Sequence, residues 1–130
     1  MQSPENATKT VLVADDEQDI IELVRFRLEH DGYRVLTASD GEAALQLARD
    51  EHPDLCVLDV MMPKLSGLEV LAQLRADPTT AGTRVIMLTA RGQDPDIDRG
   101  FELGAHDYVT KPFSPKELRR RVHAQLSFHA

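Results

Sequence analysis

Short runs of β-branched and aliphatic residues recur at Thr10–Ala14, Tyr33–Ala38, Leu55–Leu58, Arg84–Leu88 and Asp107–Val109. Each is followed by a longer stretch whose apolar residues repeat at helical spacing, so the pattern predicts five βα units. The first helix is expected from about Glu17 to Asp31, with Ile20, Val24 and Leu28 on one face and Gly32 as a left-handed stop. Three later helices are expected to open with Ser-x-x-Glu capping boxes, at Ser39 to Glu42, Ser66 to Glu69 and Ser114 to Glu117. The remaining helix is expected to begin at Asp94-Pro95, with the aspartate as N-cap, and to end before Gly104, with Ile97 and Phe101 on its inward edge.

Strict strand-helix alternation favours a parallel sheet with helices on both faces, because right-handed crossovers lay a helix over the sheet between successive strands. The expected fold is therefore α/β, a flavodoxin-like (βα)5 three-layer sandwich with five parallel strands in the order 2-1-3-4-5. Such a sheet binds ligands outside the carboxyl ends of strands 1 and 3, where the winding direction reverses. A chain of 130 residues suits one domain with one core. The domain is expected over residues 10–126, after a disordered N-terminal tail at 1–9 and before a C-terminal tail or linker start at 127–130.

Charge and composition narrow the choice of partner. A formal net charge of −7 repels a phosphate backbone, so direct nucleic-acid binding is not expected and the partner is expected to be a protein. Arg119-Arg120-Arg121 does not change this, since three successive helical residues point in different directions. The single cysteine, Cys56, sits in Leu55-Cys56-Val57-Leu58 and reads as a buried thiol in a reducing cytoplasm. No apolar run approaches the roughly 20 residues that span a bilayer, and no membrane role is expected. The histidines lack metal-ligand spacing, and His106, His123 and His129 read as surface residues.

The chemistry lies at the strand ends. Strand 1 ends in Asp15-Asp16, strand 3 in Asp59, strand 4 in Thr89, and strand 5 runs into Lys111. In the expected strand order these ends are neighbours, so residues far apart in sequence meet in one shallow pocket. Carboxylates packed together repel one another unless a cation compensates. A site with few carboxylates and a backbone carbonyl suits Mg2+, which keeps several waters, better than calcium with its larger ligand set. Asp59 is the candidate nucleophile, standing alone on the central strand, while Thr89 and Lys111 would complement phosphoryl oxygens. An Asp-Asp pair by itself is more often a turn or a helix cap. The conjunction at four strand ends is what carries the reading.

These residues resemble the signature of bacterial response-regulator receiver domains of the CheY-like kind, over about Thr10 to Leu126. The matching segments are Val11-Leu12-Val13-Ala14-Asp15-Asp16, Asp59-Val60-Met61-Met62-Pro63 with Gly67 following, Leu88-Thr89-Ala90, and Tyr108-Val109-Thr110-Lys111-Pro112-Phe113. The resemblance implies that Asp59 accepts a phosphoryl group from a sensor histidine kinase or phosphotransfer protein. It implies Mg2+, or Mn2+ as a substitute, held by Asp16, Asp59 and the Met61 carbonyl, with Asp15 acting mainly through a metal-bound water. Thr89 and Lys111 would contact the phosphoryl oxygens, the Lys111-Pro112 bond would be cis, and Met61 and Arg91 would tune phosphate loss. Such a domain is not a conventional enzyme but assists its own aspartyl phosphorylation and dephosphorylation.

By the same resemblance, Thr89 moves toward the phosphoryl group and Tyr108 turns into the vacated space, which alters the face formed by the fourth helix, fifth strand and fifth helix. The stretch from Gly104 to Leu118 is most similar to receivers of OmpR/PhoB-type winged-helix regulators. That similarity implies a phosphorylation-dependent homodimer using Asp107, Glu117 and Arg121, and a transcriptional output domain absent from this chain. Two rivals make different predictions. A phosphohydrolase of the haloacid-dehalogenase type would place a second aspartate two positions after the nucleophile, where Met61 stands. A degenerate scaffold would not need Asp16, Asp59, Thr89 and Lys111 together.

Overall fold

The computed structural model describes residues 9–90 and 94–127. Its elements alternate as β1 (Thr10–Ala14), α1 (Gln18–His30), β2 (Arg34–Ala38), α2 (Gly41–Glu51), β3 (Leu55–Asp59), α3 (Gly67–Ala76), β4 (Arg84–Ala90), α4 (Asp94–Glu102), β5 (Asp107–Lys111) and α5 (Pro115–Ser127). The strands form one parallel sheet in the order β2-β1-β3-β4-β5. This is the flavodoxin-like arrangement expected from the alternation. The tails beyond 9–127 and the Arg91 position lie outside the described residues.

Every residue of β1 and β3 is buried, as central strands of a doubly covered sheet require. Their side chains alternate between two cores. Leu12, Ala14, Cys56, Leu58, Val85 and Met87 pack on one face with Leu71 and Leu74 of α3, while Val11, Val13, Leu55, Val57, Ile86 and Leu88 pack on the other with Leu28 of α1 and Leu118 and Val122 of α5. Removing one such leucine side chain would cost about 2–5 kcal/mol, so these strands hold the sheet edge rigidly.

Local signals mostly act as expected. Gly32 takes φ 97° after α1, and Ser66 forms a complete capping box with Glu69. Ser114 accepts from the Glu117 amide at 3.0 Å. Two expectations need correction. The cap of α2 is Asp40, not Ser39: its carboxylate accepts from the Ala43 amide at 2.8 Å, and a charged acceptor suits the positive helix end better than a hydroxyl one residue earlier. Phe101 is not on an inward edge, since it is 51% exposed; the residue of α4 buried beside it is Gly100. The apolar pattern of α4 did not reveal this because glycine carries no hydrophobic signal.

Three strands run further than their apolar runs suggested. Asp59 pairs with Leu88, Thr89 with Thr110 and Ala90 with Lys111, so the ladder carries polar residues to the carboxyl edge. Sheet hydrogen bonding, not hydrophobicity, holds them there.

Candidate functional site

Asp15 follows β1 directly, and its amide donates to the Ala38 carbonyl at 3.1 Å. Its Oδ1 accepts from the Glu17 amide at 2.9 Å, closing a turn that starts α1. Asp15 is wholly buried, whereas Asp16 and Glu17 are exposed. Asp59, 5% exposed, ends β3, and its Oδ1 accepts from the Met61 amide at 3.3 Å. Gly67 lets α3 press against this strand end: its amide donates to the Val60 carbonyl at 2.9 Å, and a Cβ there would stand 2.9 Å from the Asp59 carbonyl carbon.

Lys111 comes to the same place from β5. Its Nζ lies 2.8 Å from Asp15 Oδ2, 3.0 Å from Glu17 Oε2 and 3.1 Å from Asp59 Oδ2. The Asp15 contact is a close ion pair without hydrogen-bond alignment, so the buried Oδ2 has no aligned donor among the described residues. Burial, then the neighbouring Asp15 charge, pushes the Asp59 carboxyl up to about 6, against the pull of Lys111 and the Met61 amide. Burial opposes the Lys111 charge, but its contacts with Asp15 and Glu17 and the charges of Asp59 and Asp15 outweigh it, holding the ammonium above the usual lysine range.

One ammonium thus faces several carboxylates. Asp15, Asp16 and Glu17 each offer a carboxylate oxygen, and these three atoms lie within 4.8 Å of one another, a grouping able to share a cation. Glu17 was not singled out from the sequence. Its signal was present in the unbroken run Asp15-Asp16-Glu17, but a strand-helix junction explains such a residue equally well as a helix start.

The other expected residues fall into two places. Thr89 is fully buried at the end of β4, with its hydroxyl 3.4 Å from the Ala90 carbonyl. Tyr108 shares its sheet face one row below, because Met87 pairs with Tyr108 and Thr89 with Thr110. Met61 is 61% exposed above Asp59, and the Lys111-Pro112 bond is cis. Asp107, Glu117 and Arg121 form a separate cluster, in which Arg121 Nη1 lies 3.0 and 3.1 Å from the two Asp107 oxygens and Nη2 lies 3.6 Å from Glu117. Here they pair within one chain. Leu23, Ile20, Pro112 and Phe113 line an apolar shoulder that reaches Glu17 and Lys111.

The doubly covered parallel sheet defines a flavodoxin-like domain, and its candidate site is the acidic pocket with a lysine at the ends of β1, β3 and β5. Residues 11–123 match the response regulator receiver domain family, and the chain belongs to it. It is 53% identical over 118 residues to the alkaline phosphatase synthesis transcriptional regulatory protein PhoP of Bacillus subtilis, covering 91% of this chain and 48% of that protein. Among solved structures, the Francisella response regulator 1452 receiver domain superposes with a TM-score of 0.84 at 37% identity, covering 92% of this chain and 98% of that one. The response regulator DrrB of Thermotoga maritima, an OmpR/PhoB homolog, gives a TM-score of 0.80 at 39% identity, covering 92% and 52%. The domain is a receiver of the OmpR/PhoB type. The chain spans about half the length of the curated relatives it matches. No helix among the described residues is long and apolar enough to cross a membrane.

Proposed function

We propose that Asp59 is the phosphoacceptor of a two-component signalling protein, with residues 10–126 as the receiver unit working in the cytoplasm. The observation that carries this reading is the meeting of Asp15, Asp59 and Lys111 within 3.1 Å of one ammonium, at the carboxyl edge of the sheet. A carboxylate oxygen of Asp59 attacks the phosphorus of a phosphohistidine. The new O–P bond replaces the N–P bond, and the imidazole leaves with its electron pair and takes up a proton. Hydrolysis of the acyl phosphate by water returns the carboxylate and inorganic phosphate.

Asp15, Asp16 and Asp59, with the Met61 carbonyl, are the residues that would hold Mg2+, or Mn2+ in its place. The buried Asp15 Oδ2, without an aligned hydrogen-bond donor, suits a cation. When bound, the ion neutralises carboxylate and phosphoryl charge. Lys111, already beside Asp59, supplies its ammonium to a phosphoryl oxygen, and Glu17 holds it in line from the open side. Met61, which is exposed, and Arg91 set how easily water reaches the acyl phosphate.

The donor is a sensor histidine kinase or phosphotransfer protein. The switch is Thr89 turning toward the new phosphoryl group and Tyr108 following on the same sheet face. The face of α4, β5 and α5, with Asp107, Glu117 and Arg121, then forms a homodimer and regulates a transcriptional output domain. Neither nucleic acid nor membrane is a direct partner of this domain.

The test is intact-mass measurement after incubation with acetyl phosphate, with and without Mg2+, beside an Asp59→Asn control. One added phosphoryl group that needs the metal and Asp59 is expected. No adduct, with beryllofluoride binding also missing, would leave a scaffold and end this reading.

A further inference from the structure

Gly100 lies in the last turn of α4 and is buried. The helix ends just beyond it. The Ala105 amide donates to the Gly100 carbonyl at 2.8 Å, and Gly104 takes φ 98°. In such a terminator, the residue in Gly100's place commonly carries an apolar side chain that packs on the residue after the left-handed glycine. Here that position is bare, although glycine weakens a helix relative to alanine.

The space is taken by Tyr108 from β5. A Cβ on Gly100 would overlap the Tyr108 hydroxyl oxygen and stand 2.6 Å from Cζ and 3.1 Å from Cε2. The tyrosine ring also meets the Phe101 ring, with centroids 4.9 Å apart and planes at 54°. Tyr108 is therefore seated between bare helix backbone and an aromatic side chain of the same turn.

We infer that Gly100 is a positioning residue for Tyr108: α4 keeps position 100 free of a side chain so that the hydroxyl end of the ring can rest on the helix. Any side chain at position 100 and the ring in this orientation exclude each other. The position of α4 thereby sets where the ring can lie, and displacement of either moves the other. The signalling consequence rests on the proposed tyrosine switch, whereas the seat itself does not.

Urea unfolding of the unchanged chain, Gly100→Ala, Tyr108→Ala and the double variant decides the seat. Gly100→Ala is expected to lower the midpoint when Tyr108 is present and to raise it in the Tyr108→Ala background, where alanine only improves the helix. Equal shifts in both backgrounds would overturn the inference. With 3-fluorotyrosine incorporated and signals assigned by Tyr108→Phe, Gly100→Ala is expected to displace the Tyr108 fluorine resonance without any phosphoryl mimic. An unmoved resonance would also overturn it. Failure of the resonance in the unchanged protein to respond to beryllofluoride with Mg2+ would instead defeat the switch reading, and the unfolding cycle would still judge the seat.

Discussion

His106 and Val85 are bonded to each other twice: the His106 amide donates to the Val85 carbonyl at 2.8 Å, and the Val85 amide donates to His106 Nδ1 at 3.1 Å. The imidazole thereby completes the ladder just before β5 pairs with β4, and Val85 is fully buried. An amide can only donate, so Nδ1 must be unprotonated and the ring proton must sit on Nε2.

That requirement has a pH dependence. Burial, then the charges of Arg75 and Arg84, lowers His106 below its ordinary value of 6.5. A histidine lowered in the folded state binds protons better when unfolded, so its contribution is present above about 6.5 and is lost as pH falls toward the folded value. His106→Ala should cost about 1 kcal/mol at pH 8. The gap should narrow at pH 5, because the unfolded chain takes up a proton that the folded ring resists. Urea midpoints at the two pH values check this, and an unchanged gap would remove the ring from the ladder.

Asp59 should be more stable as an amide when no divalent ion is present. Its carboxyl is pushed from 3.8 up to about 6 by burial and by Asp15, so its favourable contribution exists below 3.8 and is lost as pH rises through about 6. At pH 7.5 in chelator, Asp59→Asn should stabilise the fold by about 1–2 kcal/mol, a figure discounted for the open side of the pocket. Adding Mg2+ should close the gap, since an ion that binds the folded form preferentially stabilises the unchanged protein more. A variant less stable in chelator would contradict the like-charge account.

These two predictions differ in how far the sequence foretold them. Asp15, Asp59 and Lys111 could be placed together because strict βα alternation implies a parallel sheet, and the strand order 2-1-3-4-5 assumed for a flavodoxin-like domain brings their strand ends to one edge. Asp40 displaced Ser39 as a cap because two good capping residues were adjacent and only backbone geometry chooses between them. The second hydrogen bond of His106, the lysine contact of Glu17 and the seat at Gly100 left no periodic trace. Each depends on a side chain reaching across to another element, and neither hydrophobic spacing nor turn chemistry encodes that reach.

Cys56 should be inert in the folded protein. It is wholly buried in the core on the α3 face of the sheet, and burial pushes its thiol up to about 12 despite the nearby Arg75 charge. Almost no thiolate exists at pH 8, and the thiolate is the reactive form. Ellman's reagent is expected to give no signal from the native chain and one thiol equivalent in urea. Rapid native labelling would mean that the sheet opens locally around β3.

The Asp107–Arg121 pair offers a test of the proposed dimer that a simple deletion cannot provide. Arg121 Nη1 donates to both Asp107 oxygens within one chain, so exchanging partners across a two-fold axis would replace two internal pairs by two between copies. Asp107→Arg alone sets arginine against arginine in a homodimer, and Arg121→Asp alone sets aspartate against aspartate. Each should weaken beryllofluoride-induced association by roughly tenfold, about 1.4 kcal/mol shared over two partly exposed contacts. Mixing the two single variants restores opposite charges at both intersubunit contacts while leaving both chains internally mismatched. Sedimentation of the mixture should then recover the dimer. Recovery only in the double variant Asp107→Arg with Arg121→Asp would confine the pair to its own chain, because that protein repairs the internal contact as well.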